Sequence, residues 1–143
     1  MNIGLYSEFA RKHIVALRDD ISQNNIGSDD DAMKSFRRGV INSEDKEEYQ
    51  RIKLSLDFYS LSEVRDLLFH VQEHQFTLPQ IQDCLSQLGL QFCGFEDAKI
   101  VHGFKRTNIG PDDPYDLIKW NSYEEANPRT FAGMYQFWCQ KVS

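Results

Sequence analysis

Apolar residues recur along this chain at spacings that predict short strands alternating with amphipathic helices. Residues 2–6, Asn-Ile-Gly-Leu-Tyr, read as a strand. Ser7 then offers an N-cap and Glu8 a charge suited to the positive end of a helix, while Ala10, Ile14, Leu17 and Ile21 put one apolar face on it. Asn24 and Asn25 should end that helix. Ser28 to Asp31 has the S-x-x-D form of a capping box, with Met33, Phe36 and Val40 as the inner face of a second helix. Residues 43–50 are strongly polar and suggest a mobile surface helix. Ser60-Leu61-Ser62-Glu63 is a capping box ahead of Val64, Leu67, Leu68 and Val71. Thr77-Leu78-Pro79-Gln80 is another, with Leu78, Ile81, Leu85 and Leu88 facing inward and Gly89 as C-cap.

Residues 90–95 read as a second strand. Asp97 can cap a helix with Ile100, Val101 and Phe104 inside. Asp113-Pro114 marks a sharper helix start, followed by Leu117, Ile118 and Trp120 and stopped by Asn127-Pro128. Residues 134–142 are so continuously apolar and aromatic that they suggest a strand covered on both faces. The order predicts one α/β domain over residues 1–143, rich in helix, with a small mixed sheet of three strands. So small a sheet suggests a piece of a larger one, because a parallel sheet needs cover on both faces and protected edges.

Composition narrows the function. At 143 residues with 41% hydrophobic and 13% aromatic residues, the chain can build a core without metals or disulfides. A net charge of −6 argues against a protein that tracks phosphates, which needs clustered Lys and Arg. No apolar run approaches the roughly 20 residues that span a bilayer, and no signal peptide is evident, so the expected compartment is the cytoplasm and no membrane partner is implied. The 3 cysteines include no CxxC pair, which suits a reducing compartment.

Three blocks carry a resemblance: Gly4-Leu5-Tyr6-Ser7-Glu8; Asp57-Phe58-Tyr59-Ser60 running on through Arg65-Asp66-Leu67-Leu68-Phe69-His70-Val71-Gln72-Glu73-His74-Gln75-Phe76-Thr77-Leu78-Pro79; and Asn127-Pro128 through Thr130-Phe131-Ala132-Gly133-Met134-Tyr135-Gln136-Phe137-Trp138. Together they resemble the C-terminal part of bacterial class I S-adenosylmethionine-dependent methyltransferases, of the kind often fused to tetratricopeptide repeats. The resemblance implies a helix-rich portion of a Rossmann-like fold beginning at its fifth strand. Residues 90–95 would be the sixth strand and residues 134–142 the seventh, running antiparallel between the other two.

It also implies what these 143 residues lack: the glycine-rich loop after the first strand, and the acidic residue after the second that holds the ribose hydroxyls. The chain alone should therefore bind no cofactor, S-adenosylmethionine included, and should not transfer methyl groups. A truncated or trimmed methyltransferase segment is the first expectation, and a stand-alone protein-interaction module the second.

Ligands of open α/β sheets sit beyond the carboxyl ends of the strands, so Tyr6 and Ser7 are candidates for the wall of an acceptor pocket. Asp57, Tyr59, Arg65, Asp66, His70 and His74 add carboxylate, guanidinium and imidazole groups that could orient or deprotonate an acceptor, although ion pairs and packing explain the same residues. His70-Val71-Gln72-Glu73-His74 also matches the H-x-x-E-H signature of a zinc hydrolase, a third reading that needs a further ligand and a cleft. No catalytic residue is assigned and no metal is expected. The first strand, bare of lysine and proline, suggests self-association into a dimer through a sheet edge.

Overall fold

The computed structural model describes residues 1–69 and 73–143. Among them, in chain order, run β1 (Asn2–Ser7), α1 (Glu8–Gln23), α2 (Asp30–Asn42), α3 (Glu47–Ile52), α4 (Leu61–Val64), β2 (Gln75–Phe76), α5 (Leu78–Gln87), β3 (Leu90–Phe95), α6 (Ala98–Lys105), α7 (Leu117–Ala126) and β4 (Tyr135–Lys141). The chain divides into two compact units, residues 1–11 with 74–143, and residues 12–73. It is an α/β protein, and none of the described helices is long and apolar enough to cross a membrane.

The first unit holds the sheet, in the order β2-β1-β4-β3. It has four strands where three were expected. The extra one, β2, is only Gln75 and Phe76, too short to leave an alternating pattern in sequence, and it pairs parallel with Tyr6 and Ser7. β4 lies antiparallel between β1 and β3, with Ile3 opposite Phe137 and Phe95 opposite Phe137 on the other side. β1 and β3 therefore run parallel to each other. A bulge interrupts β3, where the register passes from Phe92↔Cys139 to Gly94↔Trp138 and leaves Cys93 as the extra residue. Gly94 has φ +115°, a region that disfavours any residue with a Cβ.

One face of this sheet carries the core. Along β4, Tyr135, Phe137 and Cys139 are buried and the residues between them exposed. The strand is thus covered on one face, and Trp138, 48% exposed, lies on the other; its apolar run overstated the burial. Leu78, Ile81 and Leu85 of α5 and Leu117 and Trp120 of α7 pack with Phe95, Phe104 and Phe131. The rings of Phe104 and Trp120 stack at 3.8 Å and 13°, and the Trp120 indole N–H donates to the Pro114 carbonyl at 2.9 Å. Leu88, expected inside, is 70% exposed. Leu88 closes α5 as its C-cap, where the chain turns at Gly89 with φ +64°.

The second unit is helical. Ile14, Leu17 and Ile21 of α1 meet Val40 of α2, Ile52 of α3, Phe58, Val64 and Leu68 in one apolar cluster. Two start signals differ from expectation. α2 is capped by Asp29, whose carboxylate accepts from the Ala32 N–H, rather than by Ser28. Ser60 makes no side-chain cap bond, since its hydroxyl sits 3.3 Å from that of Ser62, and α4 passes after one turn into a π-helical stretch at Arg65–Phe69. Val71 of the expected helix lies outside the described residues.

Candidate functional site

The carboxyl ends of β1 and β3 and the amino end of β4 meet at one end of the first unit's sheet. That is where an open α/β sheet receives ligands. Ser7, the last residue of β1, is 1% exposed. Its hydroxyl oxygen accepts the Ala10 N–H at 3.2 Å, capping α1, and its hydrogen goes to Glu124 Oε2 at 2.6 Å. The Tyr135 hydroxyl, from the first residue of β4, donates to Glu124 Oε1. Both carboxylate oxygens of a fully buried glutamate are thereby held by hydroxyl donors.

The electrostatics follow from this burial. Desolvation pushes the Glu124 carboxyl above the ordinary carboxylate range, and the bonds from Ser7 and Tyr135 pull it part of the way back. Desolvation and the neighbouring glutamate push the Tyr135 phenol far up, so it stays protonated and remains a donor. The cluster is closed to solvent, which denies Ser7 a nucleophilic role and leaves Glu124 as a tie between β1, α7 and β4.

Beside this tie lies a pocket of about 260 Å³, walled by Phe95, Ile100, Phe131 and Met134, with Asp97 and Gln136 among its polar groups. Met134 lies over β1, where a Cβ on Gly4 would stand 2.8 Å from its sulfur. Tyr6 stacks under the Arg11 guanidinium, 4.1 Å from the ring centroid.

The expected site residues divide between the units. Tyr6, Ser7 and His74 belong to the first, with His74 exposed. Asp57, Tyr59, Arg65 and Asp66 belong to the second. There Tyr59 donates to the Lys53 carbonyl at 2.8 Å and receives Arg37 on its own carbonyl, and Arg65 pairs with Asp30. Asp57 and Asp66 are exposed. His70 lies outside the described residues. The glutamate of the H-x-x-E-H run, Glu73, pairs with Arg18 at 3.2 Å, and Arg18 also donates to the Leu67 carbonyl at 2.8 Å. A general base so engaged is poorly placed to activate water. Among the described residues no three His, Cys, Asp or Glu side chains gather as metal ligands.

The strand-to-helix turns of the first unit are closed as well. Each helix of the first unit that follows a strand has its amino end closed by its own side chain: Ser7 for α1, Thr77 for α5 and Asp97 for α6. None of these turns is a glycine cradle, and at the first the buried Glu124 carboxylate stands against the capping hydroxyl. No protein-family model matches this chain, and no curated protein is significantly similar to it.

Glu124 and Tyr135 are not among the site residues that the sequence suggests. A signal for Glu124 was there: Leu117, Trp120 and Glu124 fall on one helical face, which sets a carboxylate in an apolar stripe.

Proposed function

We propose that this chain is the acceptor-side, C-terminal part of a class I S-adenosylmethionine-dependent methyltransferase domain, supplying scaffold and pocket wall but no catalysis by itself. The observation that carries this reading is the insertion of β4 antiparallel between β1 and β3, two strands that are parallel to each other. That is the order and direction the methyltransferase sheet gives its fifth, seventh and sixth strands. The outer side of β1 is where that fold places its fourth strand. Here β2 takes up only Tyr6 and Ser7 of it and leaves residues 2–5 unpaired on that side among the described residues.

In this reading the 260 Å³ pocket and Tyr6 form part of the acceptor wall, and the Ser7–Glu124–Tyr135 tie keeps the carboxyl end of β1 at a fixed distance from the segment before β4. Rigid support of this kind is what holds reacting groups in line when the cofactor is bound elsewhere in a domain. The decisive experiment reads the DNA upstream of the Met1 codon and expresses the longer product. An in-frame stretch encoding a glycine-rich loop, whose product binds S-adenosylmethionine stoichiometrically, is the expected result. An extended product that folds and does not bind, or the absence of any such coding stretch in frame or in an adjacent gene, would overturn the reading.

A further inference from the structure

The opposite edge of the first unit's sheet carries a second feature. β3 is a terminal strand, paired with β4 alone. The Gly89 carbonyl accepts the Val142 N–H at 2.9 Å, so in the alternation of an antiparallel ladder residues 89 and 91 face β4, while Leu90 and Phe92 direct their N–H and C=O groups outward. No other backbone partner is made by these groups among the described residues. A cleft of about 680 Å³ opens there, and Leu90, Gln91 and Phe92 all line it. Consecutive strand residues point to opposite faces, so three in a row can border one cleft only where the cleft meets the strand edge-on.

The other wall fixes the kind of occupant. Asp112, Asp113 and Asp116 face Lys119 alone, and that ammonium is already paired with Asp113. The Asp116 carboxylate accepts the Ile118 N–H at 2.9 Å, whereas Asp112 is exposed with no ion pair among the described residues. The floor is apolar, made by Leu85, Phe92 and Leu117.

We propose that this cleft binds an extended peptide carrying lysine or arginine, which adds to β3 as a short fifth strand. Main-chain bonds at Leu90 and Phe92 supply affinity, the apolar floor takes an aliphatic side chain, and the carboxylates select positive charge. A second copy of this chain is disfavoured on two counts. The bulge at Cys93 ends the regular edge after Phe92, too soon for a long strand pair, and two acidic walls would repel across a two-fold axis. The inference is independent of the methyltransferase reading, since it uses neither the cofactor end of the sheet nor a missing strand.

The test uses the full chain and the labelled peptide acetyl-Thr-Lys-Val-Arg-Val-amide, with nuclear magnetic resonance and fluorescence anisotropy. The expected dissociation constant lies below about 1 mM, with the Leu90 and Phe92 amides shifting and gaining protection from hydrogen exchange. The same peptide N-methylated at alternate amides should bind at least about tenfold more weakly in one of its two registers, because its backbone donors are removed. Asp112→Asn should weaken the parent peptide about two- to fivefold, the scale of an exposed ion pair, and added salt should do the same. Equal binding of both N-methylated forms would overturn strand addition. Equal binding of an acidic Thr-Glu-Val-Glu-Val analogue would overturn the charge selection. Shifts confined to residues away from β3, no binding at all, or a concentration-dependent dimer that protects β3 and resists the peptide would each overturn the proposal.

Discussion

Replacing Tyr135 with Phe removes one hydroxyl and keeps the ring within the core. Tyr135 is fully buried, and its hydroxyl is the donor to Glu124 Oε1. Without it, the buried carboxylate keeps only the Ser7 hydrogen bond at 2.6 Å. A hydrogen bond to a charged group contributes about 1.5–3 kcal/mol, so Tyr135→Phe should destabilise the first unit by that amount at pH values where Glu124 is ionised. The loss should depend on pH. The Tyr135 bond favours ionised Glu124 and so lowers its folded pKa, working against the larger effect of burial, which raises it. Its contribution is therefore full above that pKa and shrinks as pH falls through it, toward the about 0.5–1.5 kcal/mol of a neutral bond. The net raised pKa has the opposite consequence for the wild-type chain: neutralising Glu124 adds stability as pH falls from the raised value toward the ordinary carboxyl range. Urea unfolding at several pH values, followed by tryptophan emission, measures both, because Trp120 and Trp138 both belong to the first unit. A difference between wild type and variant that stays constant from pH 8 to pH 4, or below about 0.5 kcal/mol throughout, would refute the argument.

Four further outcomes are expected. Gly94→Ala should cost about 1–3 kcal/mol in the same assay through its φ of +115° alone, since the added Cβ would meet Tyr115 at an ordinary 3.6 Å. Thr77→Ala should cost about 1 kcal/mol by removing the capping box in which Thr77 accepts the Gln80 N–H and Gln80 accepts the Thr77 N–H at 2.9 Å. Calorimetric titration of this chain with S-adenosylmethionine should give no saturable heat; a micromolar 1:1 site would contradict it. Elemental analysis of purified protein should find less than stoichiometric zinc, and one zinc per chain that disappears in His70→Ala and in His74→Ala would restore the hydrolase reading.

Much of the fold was legible because its signals are local. The strands at 2–6 and 90–95, the caps Ser7, Thr77 and Asp97, and the stop before Asn127 each depend on a few neighbouring residues, and each stands where expected. What was misread depends on tertiary partners. β2 exists only because Gln75 and Phe76 find β1. Asp113-Pro114 begins a 3-10 turn, and the helix proper waits for Asp116, whose carboxylate caps Ile118 and Lys119. Of the expected site residues, Ser7 carries a buried bond network, while Arg65 and Tyr59 make local ties within the helical unit. Charged and aromatic residues in a polar stretch look alike in sequence whether they meet a ligand or one another.

The tie itself shows how a register makes a site. Leu5 stands opposite Tyr135 in the β1–β4 ladder, and residues directly opposite share a face. Ser7, two residues beyond Leu5, shares that face as well. Both hydroxyls are thus turned to the side where α7 packs, and α7 meets them with Glu124 at the position that continues Leu117 and Trp120. A slip of one residue in β4 would carry Tyr135 to the exposed face and bring Gln136 or Met134 inward, leaving the Glu124 carboxyl buried and short of a donor. Either alternative also disturbs the seat of Met134 over Gly4. The polar tie therefore penalises wrong registers more than it strengthens the right one. A purely apolar contact between Leu5 and a phenylalanine at 135 would tolerate the slip far better, so Tyr135→Phe should loosen the choice of register along with the stability of the unit.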